Sequence, residues 1–354
     1  MTPMNEHKDI TMKNRSSLLN ALSANLSIVV REYAPLLVLL VAIVIFAIIS
    51  PNFLTFNNFK LMIRQVSFVQ ITAVGLMFVM IAGGIDLSVG SQIILTNVVL
   101  ALLMSDTYGL DMDPLIAIPI CIALGTILGI ANGFLSNVLK IHPLIITLGT
   151  AYIYRGLGYI VAGGRNIDGL PDSFRVYGQG YVGPIPVPII IMLVVTIIGG
   201  YFLHSTFFGS RAYAMGGNEE AAHLSGINIR SMRLKVFAVC GFASGITAVL
   251  MLSRVFNGQV STGNGIEFDA LTAALLGGVA FAGGRGTIFG LTTGVLIIGV
   301  LNNGMQLFGL QDYYQNLVKG ALLLAAVGYG EYQKRRVAKE TTEIAKAENN
   351  SANS

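Results

Sequence analysis

The side chains of this chain that could do chemistry are few and are not grouped for catalysis. None of its four histidines stands at metal-ligand spacing from another, and Cys121 and Cys240 lie far apart in apolar segments. The sequence has no HExxH, GxSxG or GxxxxGK[ST] pattern, and the dipeptide Gly-Lys is absent. We therefore predict no catalytic residue and no metal site, and any nucleotide that drives this protein must be bound by another chain.

The largest group of candidate functional side chains lies in one polar stretch, residues 204–235. Within it Asn218 is a good N-cap, and Glu219 and Glu220 follow in the first turn, where the helix dipole favours negative charge. Gly226 can end this helix after about two turns. Because isolated helices shorter than about 12 residues rarely persist in water, it must pack on something. The candidates are lipid head groups, its own bundle, or a soluble partner protein.

The composition identifies the solvent that surrounds most of the chain. Hydrophobic residues make up 54% and charged residues 11% of its 354 residues, whereas an average soluble domain is about 25% charged. The mean hydropathy is +0.70. We therefore predict an integral membrane protein that is all-α, with little of the chain left for a folded soluble domain.

Apolar segments long enough to cross the bilayer recur along the chain and predict a polytopic bundle of about ten transmembrane helices. They are Ala34–Ile49, Val66–Ala82, Val89–Met104, Leu115–Leu135, Pro143–Ala162, Val187–Leu203, Val236–Ser253, Ala270–Ala282, Ile288–Phe308 and Tyr313–Tyr329. The eighth is short, which indicates a broken or re-entrant helix. In the fourth, Gly125 and Gly129 form a GxxxG spacing, which is typical of close helix packing.

The distribution of Lys and Arg predicts the orientation. With both termini in the cytoplasm, fifteen of these residues fall in inner segments and five in outer loops, as the positive-inside rule requires. Residues 1–33 form a polar N-terminal segment, 34–330 the membrane domain, and 331–354 a tail that is basic and then disordered. The net charge of +4 comes largely from this asymmetry and does not indicate nucleic-acid binding.

Two glycine-rich turns predict helix reversals. Gly83 and Gly84 can end the second span, and Asp86 can cap the third by accepting hydrogen bonds from the backbone near Ser88. An ionised Asp at the bilayer centre costs about 2.5–3.5 kcal/mol on insertion scales, so Asp86 must be hydrogen-bonded, in a cavity or at the interface. The same helix-break interpretation fits a second set: Gly283, Gly284 and Gly286.

Polar side chains inside the spans are candidates for a transport pathway, with interhelical hydrogen bonding as the alternative for each. The candidates are Gln70, Gln92, Asn97, Asn132, Asn302, Asn303 and Gln306. Gln92 and Asn97 are the leading ones because they follow the first reversal. Arg155 and Lys319, also within spans, predict either snorkelling to the interface or internal ion pairs.

Three motifs in order resemble one family of transport proteins. They are GGIDLSVGS (Gly83–Ser91), GGNEEAAHLSGI (Gly216–Ile227) and GGVAFAGGRGTIFG (Gly277–Gly290). SPNFLTFNNF, LNNGMQLFG and YYQ fit as well. From about Ala34 to Tyr329 the chain resembles the membrane subunits of bacterial ABC importers of the ribose, xylose and galactose type.

The resemblance implies a permease of the bacterial inner membrane that imports a monosaccharide, either a pentose, a hexose or a related polyol. A second copy or a related permease would complete the pathway. ATPase subunits would bind ATP and Mg on the cytoplasmic side, and a periplasmic sugar-binding protein would deliver the substrate. This chain itself would hold no cofactor and catalyse no reaction. Two other classes, a secondary transporter or channel for a small polar solute and a membrane-bound enzyme, are the alternatives.

The resemblance also implies roles for two sets of residues. Those that would couple to the ATPase are Gly217, Asn218, Glu219, Glu220, Ala221, Ala222, Ser225 and Gly226. Those that would form helix reversals or a gate are Gly83, Gly84, Asp86, Ser88, Gly90, Ser91, Gly283, Gly284 and Gly286.

Overall fold

The structure, a computed structural model, describes residues 35–328. The predictions for the N-terminal segment 1–33 and the tail 331–354 lie outside these residues. The described chain forms the helices α1 (Pro35–Ile49), α2 (Phe56–Ile81), α3 (Val89–Met104), α4 (Pro114–Leu139), α5 (Pro143–Ala162), α6 (Val176–Gln179), α7 (Val187–Ser205), α8 (Phe207–Gly217), α9 (Glu219–Leu224), α10 (Ile229–Val255), α11 (Ile266–Leu276), α12 (Ile288–Leu307) and α13 (312–328). A 3-10 helix, Asp172–Arg175, and a hairpin of β1 (Tyr181–Val182) and β2 (Ile185–Pro186) complete it.

Most of these helices are apolar enough to lie in a membrane. By length and composition, α2, α4, α5, α7, α10 and α12 can each cross a bilayer, and α1 and α3 are shorter apolar helices. These results confirm a helical membrane protein. In the eighth predicted span the structure has α11, which ends at Leu276 and is followed by Gly277 and Gly278 in a turn. Its 11 residues cover about 16 Å of the roughly 30 Å of hydrocarbon.

Two helices begin earlier than the apolar pattern predicts. α2 starts at Phe56 after the N-cap Thr55, and α10 starts at Ile229 after the N-cap Asn228. Lys60 and Arg64, which the sequence places in an outer loop, therefore lie on α2. Charges end an apolar run but do not end a helix, since Lys and Arg are good helix formers.

The bundle has two distinct ends. The motif end carries the turns 82–88, 140–142 and 277–287 together with the segment 206–228. The hairpin end carries the β-hairpin and the bridge between Ile167 and Gly258. All three family-like motifs therefore contribute to the same end of the molecule.

Helix α3 lies at the centre of the bundle. It packs against α4, α5, α10 and α11, and nearly all of its residues are buried. A helix that is apolar all round and surrounded by protein needs no polar face. Its polar side chains, Ser91, Gln92, Thr96 and Asn97, are therefore inside protein rather than in contact with lipid.

Among the described helices, α4 and α10 share the most extensive contact, and glycines allow their backbones to approach each other. A Cβ built on Gly125 would lie 2.7 Å from the carbonyl oxygen of Gly241, and one on Gly129 would lie 2.2 Å from that of Phe237. Real side chains do not fit at such distances, so the two backbones touch. The GxxxG prediction for the fourth span is confirmed.

Candidate coupling site

The polar stretch between α7 and α10 folds into two helices. The sequence predicts the second of them, α9, and misses α8. The missed signal is Thr206, whose side chain N-caps α8 through the backbone N–H of Gly209. α9 has the predicted N-cap, since the Asn218 side chain accepts a 2.9 Å hydrogen bond from the Ala221 N–H. Gly226, at φ +85°, ends the turn after α9.

Helix α9 presents most of its surface to the outside of the bundle. Ala222 packs inward, whereas Glu220, Ala221, Ser225 and Leu224 are exposed. Leu224 is 81% exposed, so the outer face of α9 carries one large apolar side chain beside its polar ones.

Glycines of two turns and of the last turn of α8 meet next to the start of α9. A Cβ on Gly283 would lie 2.7 Å from the Cα of Gly83 and 3.1 Å from that of Gly216. Gly284 donates a backbone hydrogen bond of 2.9 Å to the carbonyl of Ile81. Gly283, Gly284 and Gly286 have φ values of +90°, +72° and +150°, which side chains other than glycine rarely adopt. The three motifs thus form one contact through bare backbone.

A tyrosine strengthens this contact from α8. The Tyr213 hydroxyl donates a 2.6 Å hydrogen bond to the carbonyl of Gly286. Burial raises the pKa of the Tyr213 phenol above its ordinary value, so the group stays protonated and remains a donor. α8 is therefore bound to the turn between α11 and α12.

The reversal between α2 and α3 has the predicted glycine C-cap. Gly83, at φ +82°, donates to the Met80 carbonyl, and Gly84 donates to the Val79 carbonyl, both at 2.9 Å. These two bonds form a Schellman motif.

Asp86 accepts the predicted hydrogen bond from the backbone of Ser88, but it is not itself the N-cap residue of α3. The N-cap residue of α3 is Ser88, and Asp86 lies two residues before it. Asp86 Oδ1 accepts from the Ser88 N–H at 2.9 Å and from the Ser88 hydroxyl at 2.6 Å. Its Oδ2 accepts from Gln92 Nε2 at 3.1 Å and from Asn132 Nδ2 at 3.4 Å. The fully buried carboxylate is thus surrounded by donors.

A cavity of about 1030 Å³ opens at the motif end. The reversal glycines Gly83 and Gly84 form part of its wall, the turn 140–142 forms another part, and residues of α9 and the start of α10 form the rest. The candidate coupling residues Glu219, Glu220 and Gly226 line it. Gly217 and Asn218 lead into α9 beside it.

For some of the polar side chains proposed for the pathway, both the oxygen and the nitrogen of the amide are hydrogen-bonded to protein. Asn303 and Asn58 exchange two hydrogen bonds of 2.8 Å. Asn132 donates 2.8 Å to the Ser88 hydroxyl and accepts 3.0 Å from the Tyr154 hydroxyl. These contacts support the interhelical alternative for both residues.

Other candidates keep unused polar atoms. Both ends of the Asn97 amide, the Gln92 Oε1 atom and the Ser91 hydroxyl have no hydrogen-bond partner among residues 35–328. Asn302 donates a 3.4 Å bond to Asp269, and its oxygen has no partner within the same residues. Gln92, Asn97 and Asn302 therefore stay the pathway predictions that the geometry favours.

The charges within the predicted spans are paired. Lys319 on α13 lies 3.0 Å from Asp269. Arg155 on α5 donates a 3.0 Å bond to Asn264 and lies 3.8 Å from Glu267. Internal pairing, one of the two predicted alternatives, is confirmed for both. Gly90 makes room for this second pair, because a Cβ there would lie 2.0 Å from Glu267 Oε2.

The described residues form a helical membrane bundle with one short exposed helix, α9, and buried polar side chains inside it. The family profile described as "branched-chain amino acid transport system / permease component" matches residues 58–327. The chain belongs to this family of permease components, and it is a multi-pass protein of the inner membrane and not an enzyme.

Curated relatives cover most of the chain. It is 39% identical over 301 residues to the ribose import permease protein RbsC of Bacillus subtilis (84% of this chain, 92% of that one). It is 36% identical over 298 residues to the D-allose transport system permease protein AlsC of Escherichia coli (84% and 90%). It is 36% identical over 304 residues to the L-arabinose transport system permease protein AraH of the same species (86% and 92%). No solved structure matches.

Proposed function

We propose that this chain is the permease subunit of an ATP-binding cassette importer for a monosaccharide. The observation that carries the proposal is the near full-length similarity, at 36–39% identity, to permeases named for ribose, D-allose and L-arabinose. The family description names amino acids. The individual relatives, whose alignments cover 84–86% of this chain, are named as permeases for sugars. Amides and hydroxyls inside the bundle suit an uncharged substrate that is rich in hydroxyls.

In this proposal the motif end faces the cytoplasm and both termini are cytoplasmic. The ten apolar helices α1–α5, α7 and α10–α13 lie in the membrane. A separate ATPase subunit binds ATP and Mg and receives α9 as a coupling helix. The reversals at Asp86 and Gly283 would move with it and gate the pathway. The exposed Leu224 and Glu220 support the docking role.

The other partners follow from the same assignment. A periplasmic sugar-binding protein delivers substrate at the hairpin end. A second permease, either another copy or a relative, completes the pathway at an interface between the two chains.

Reconstitution tests this function. The permease is purified with its ATPase and receptor, placed in liposomes, and supplied in turn with labelled ribose, allose and arabinose. We expect uptake of one of these sugars that requires both ATP and the receptor. Deletion of 218–225 should abolish uptake while the protein still inserts. Uptake that continues without ATP under an ion gradient would contradict the proposal and favour a secondary transporter.

Accessible cysteines test the orientation. Both native cysteines are buried, so single cysteines placed at the exposed residues Ser225 and Val182 report their own accessibility. A membrane-impermeant maleimide added to intact spheroplasts should label the Val182 position and leave the Ser225 position unlabelled. The reverse pattern would overturn the topology and the coupling role together.

A further inference from the structure

The two neighbouring glutamates of α9 have different environments. Glu219 Oε1 and Oε2 each accept a 2.9 Å hydrogen bond from one guanidinium nitrogen of Arg233 on α10. The Glu220 side chain makes no hydrogen bond or ion pair with any of residues 35–328, and Glu220 is exposed. One glutamate is therefore bound to the bundle, and the other is left available to a partner chain.

Arg233 reaches a third helix as well. Its other terminal nitrogen donates a 3.1 Å hydrogen bond to the side-chain oxygen of Asn137 on α4. The Asn137 amide nitrogen in turn donates 2.9 Å to the carbonyl of Arg230 in the first turn of α10. Arg233, whose side chain is only 16% exposed, thus joins α9, α10 and α4 through charge-assisted bonds, which are stronger than neutral ones.

The helices that Arg233 joins form a stiff pair. The glycine contacts between α4 and α10 continue from Gly125 and Gly129 to Gly133, whose Cβ would lie 3.2 Å from the Cα of Leu234. Asn137 lies one turn beyond Gly133 along the same interface. Because the two backbones are in direct contact over this length, a displacement of α10 is passed to α4 without side chains between them that could rearrange.

The same unit is bound to the reversal that begins α3. Asn132, also on α4, donates to the Ser88 hydroxyl at 2.8 Å and to Asp86 at 3.4 Å, and it accepts from Tyr154 on α5. A continuous series of hydrogen bonds and one stiff helix therefore connects Glu219 to Asp86.

We infer that Arg233 is the positioning residue that transmits movement of α9 to the α4–α10 pair and, through Asn132, to the reversal at Asp86. The inference rests on the proposed function, because it assigns α9 as the element moved by the ATPase. It divides the roles of the two glutamates: Glu219 transmits movement inward, and Glu220 faces the partner. Spatial continuity by itself is only an associational argument for coupling, so the test must measure coupling directly.

The test compares sugar uptake and ATP hydrolysis in the same liposomes that hold the complete transporter with its receptor. In Arg233→Ala and in Asn137→Ala we expect the sugar moved per ATP hydrolysed to fall about tenfold, as a coupling link of ordinary strength would give. Arg233→Lys should retain part of the ratio because it keeps the charge. The matched control is Arg230→Ala, which removes an exposed positive charge three residues away and should keep the wild-type ratio.

A double variant separates a shared route from two independent effects. If Arg233 and Asn137 act in one series, the pair Arg233→Ala with Asn137→Ala should lose no more than either single variant. The inference would be overturned if the losses of the two single variants multiply in the double variant. It would also be overturned if Arg233→Ala and Arg230→Ala move the same amount of sugar per ATP hydrolysed. If Arg233→Ala does not assemble, Asn137→Ala and Glu219→Gln are compared in its place.

The outcomes also distinguish this inference from the proposed function. A wild-type complex that moves no sugar with ATP would contradict the proposed function. In that case the variants are compared by receptor stimulation of ATP hydrolysis, which should again fall in Arg233→Ala and not in Arg230→Ala. Equal stimulation in all of them would remove Arg233 from the transmission route.

Discussion

Gly216 lies directly against the carbonyl oxygen of Ile81, so that a Cβ on Gly216 would be 1.8 Å from that oxygen. The last turn of α8 and the last turn of α2 therefore meet without any side chain between them. Because Gly216 is two residues before the N-cap of α9, the position of α9 depends directly on the end of α2.

Replacing Gly216 by Ala should force these two turns apart. Overpacking of this kind costs about 1–3 kcal/mol, so the midpoint of thermal unfolding in detergent should fall. Gly217→Ala is the matched control, since a Cβ on Gly217 meets nothing within 4 Å. Equal thermal midpoints for the two variants would show that the contact is not tight.

Asp86→Asn should destabilise the reversal before α3. The substitution replaces one carboxylate oxygen by an NH₂ donor that faces the donors of Ser88, Gln92 or Asn132. A buried donor left without an acceptor costs about 1–3 kcal/mol. Unfolding midpoints in detergent measure the loss. The control is Ser91→Ala, where the hydroxyl has no partner among the described residues and its removal should cost little.

The ion pair between Lys319 and Asp269 should matter to stability only when one partner is removed. Lys319→Met leaves the mostly buried Asp269 carboxylate without its cation, and loss of one member of such a pair costs about 3–5 kcal/mol. The double variant with Asp269→Asn should recover most of that loss, as measured by thermal unfolding.

An exposed pair gives the contrast for this experiment. Arg175 and Asp172 lie 2.8 Å apart, but the Asp172 side chain is 87% exposed. Breaking this pair with Asp172→Asn, which leaves the Arg175 guanidinium over the Phe256 ring, should change stability by about 0–1 kcal/mol at most. A similar loss in Lys319→Met would mean that water reaches Asp269 as freely as it reaches Asp172.

Gly129→Ala should separate α4 from α10. Its Cβ would lie 2.2 Å from the carbonyl of Phe237, whereas Gly149→Ala on α5 adds a Cβ in open space. We expect Gly129→Ala to lower both the thermal midpoint and transport, and Gly149→Ala to leave the midpoint unchanged. Two cysteines across the α4–α10 contact would then crosslink more slowly in Gly129→Ala than in wild type.

The local elements that the sequence predicts well are those whose signals lie within a few residues. Asn218 and Gly226 bound α9, and Gly83 ends α2, because caps depend on short-range hydrogen bonds and on glycine at positive φ. The apolar runs predict most of the membrane helices for a similar reason, since each run is one continuous segment.

The contacts between distant segments could not be read from the sequence. Nothing near Asn303 indicates that its amide pairs with Asn58, and nothing near Glu219 indicates that it faces Arg233. The meeting of Gly83, Gly216 and Gly283 depends in the same way on the packing of three segments that are distant in the sequence. Such contacts are properties of the folded bundle. The glycines that the three motifs share are the one sequence feature that indicates close contacts of this kind.

Helix α3 is enclosed by helices that are synthesised after it, so its protein environment is completed late in translation. Its buried Gln92 and Asn97 emerge from the ribosome early, but α10, which packs against α3, is complete only when Val255 has been made. Until then this segment has no finished protein environment around its amides. The insertion machinery or neighbouring early helices must shelter it while the second half of the polypeptide is translated.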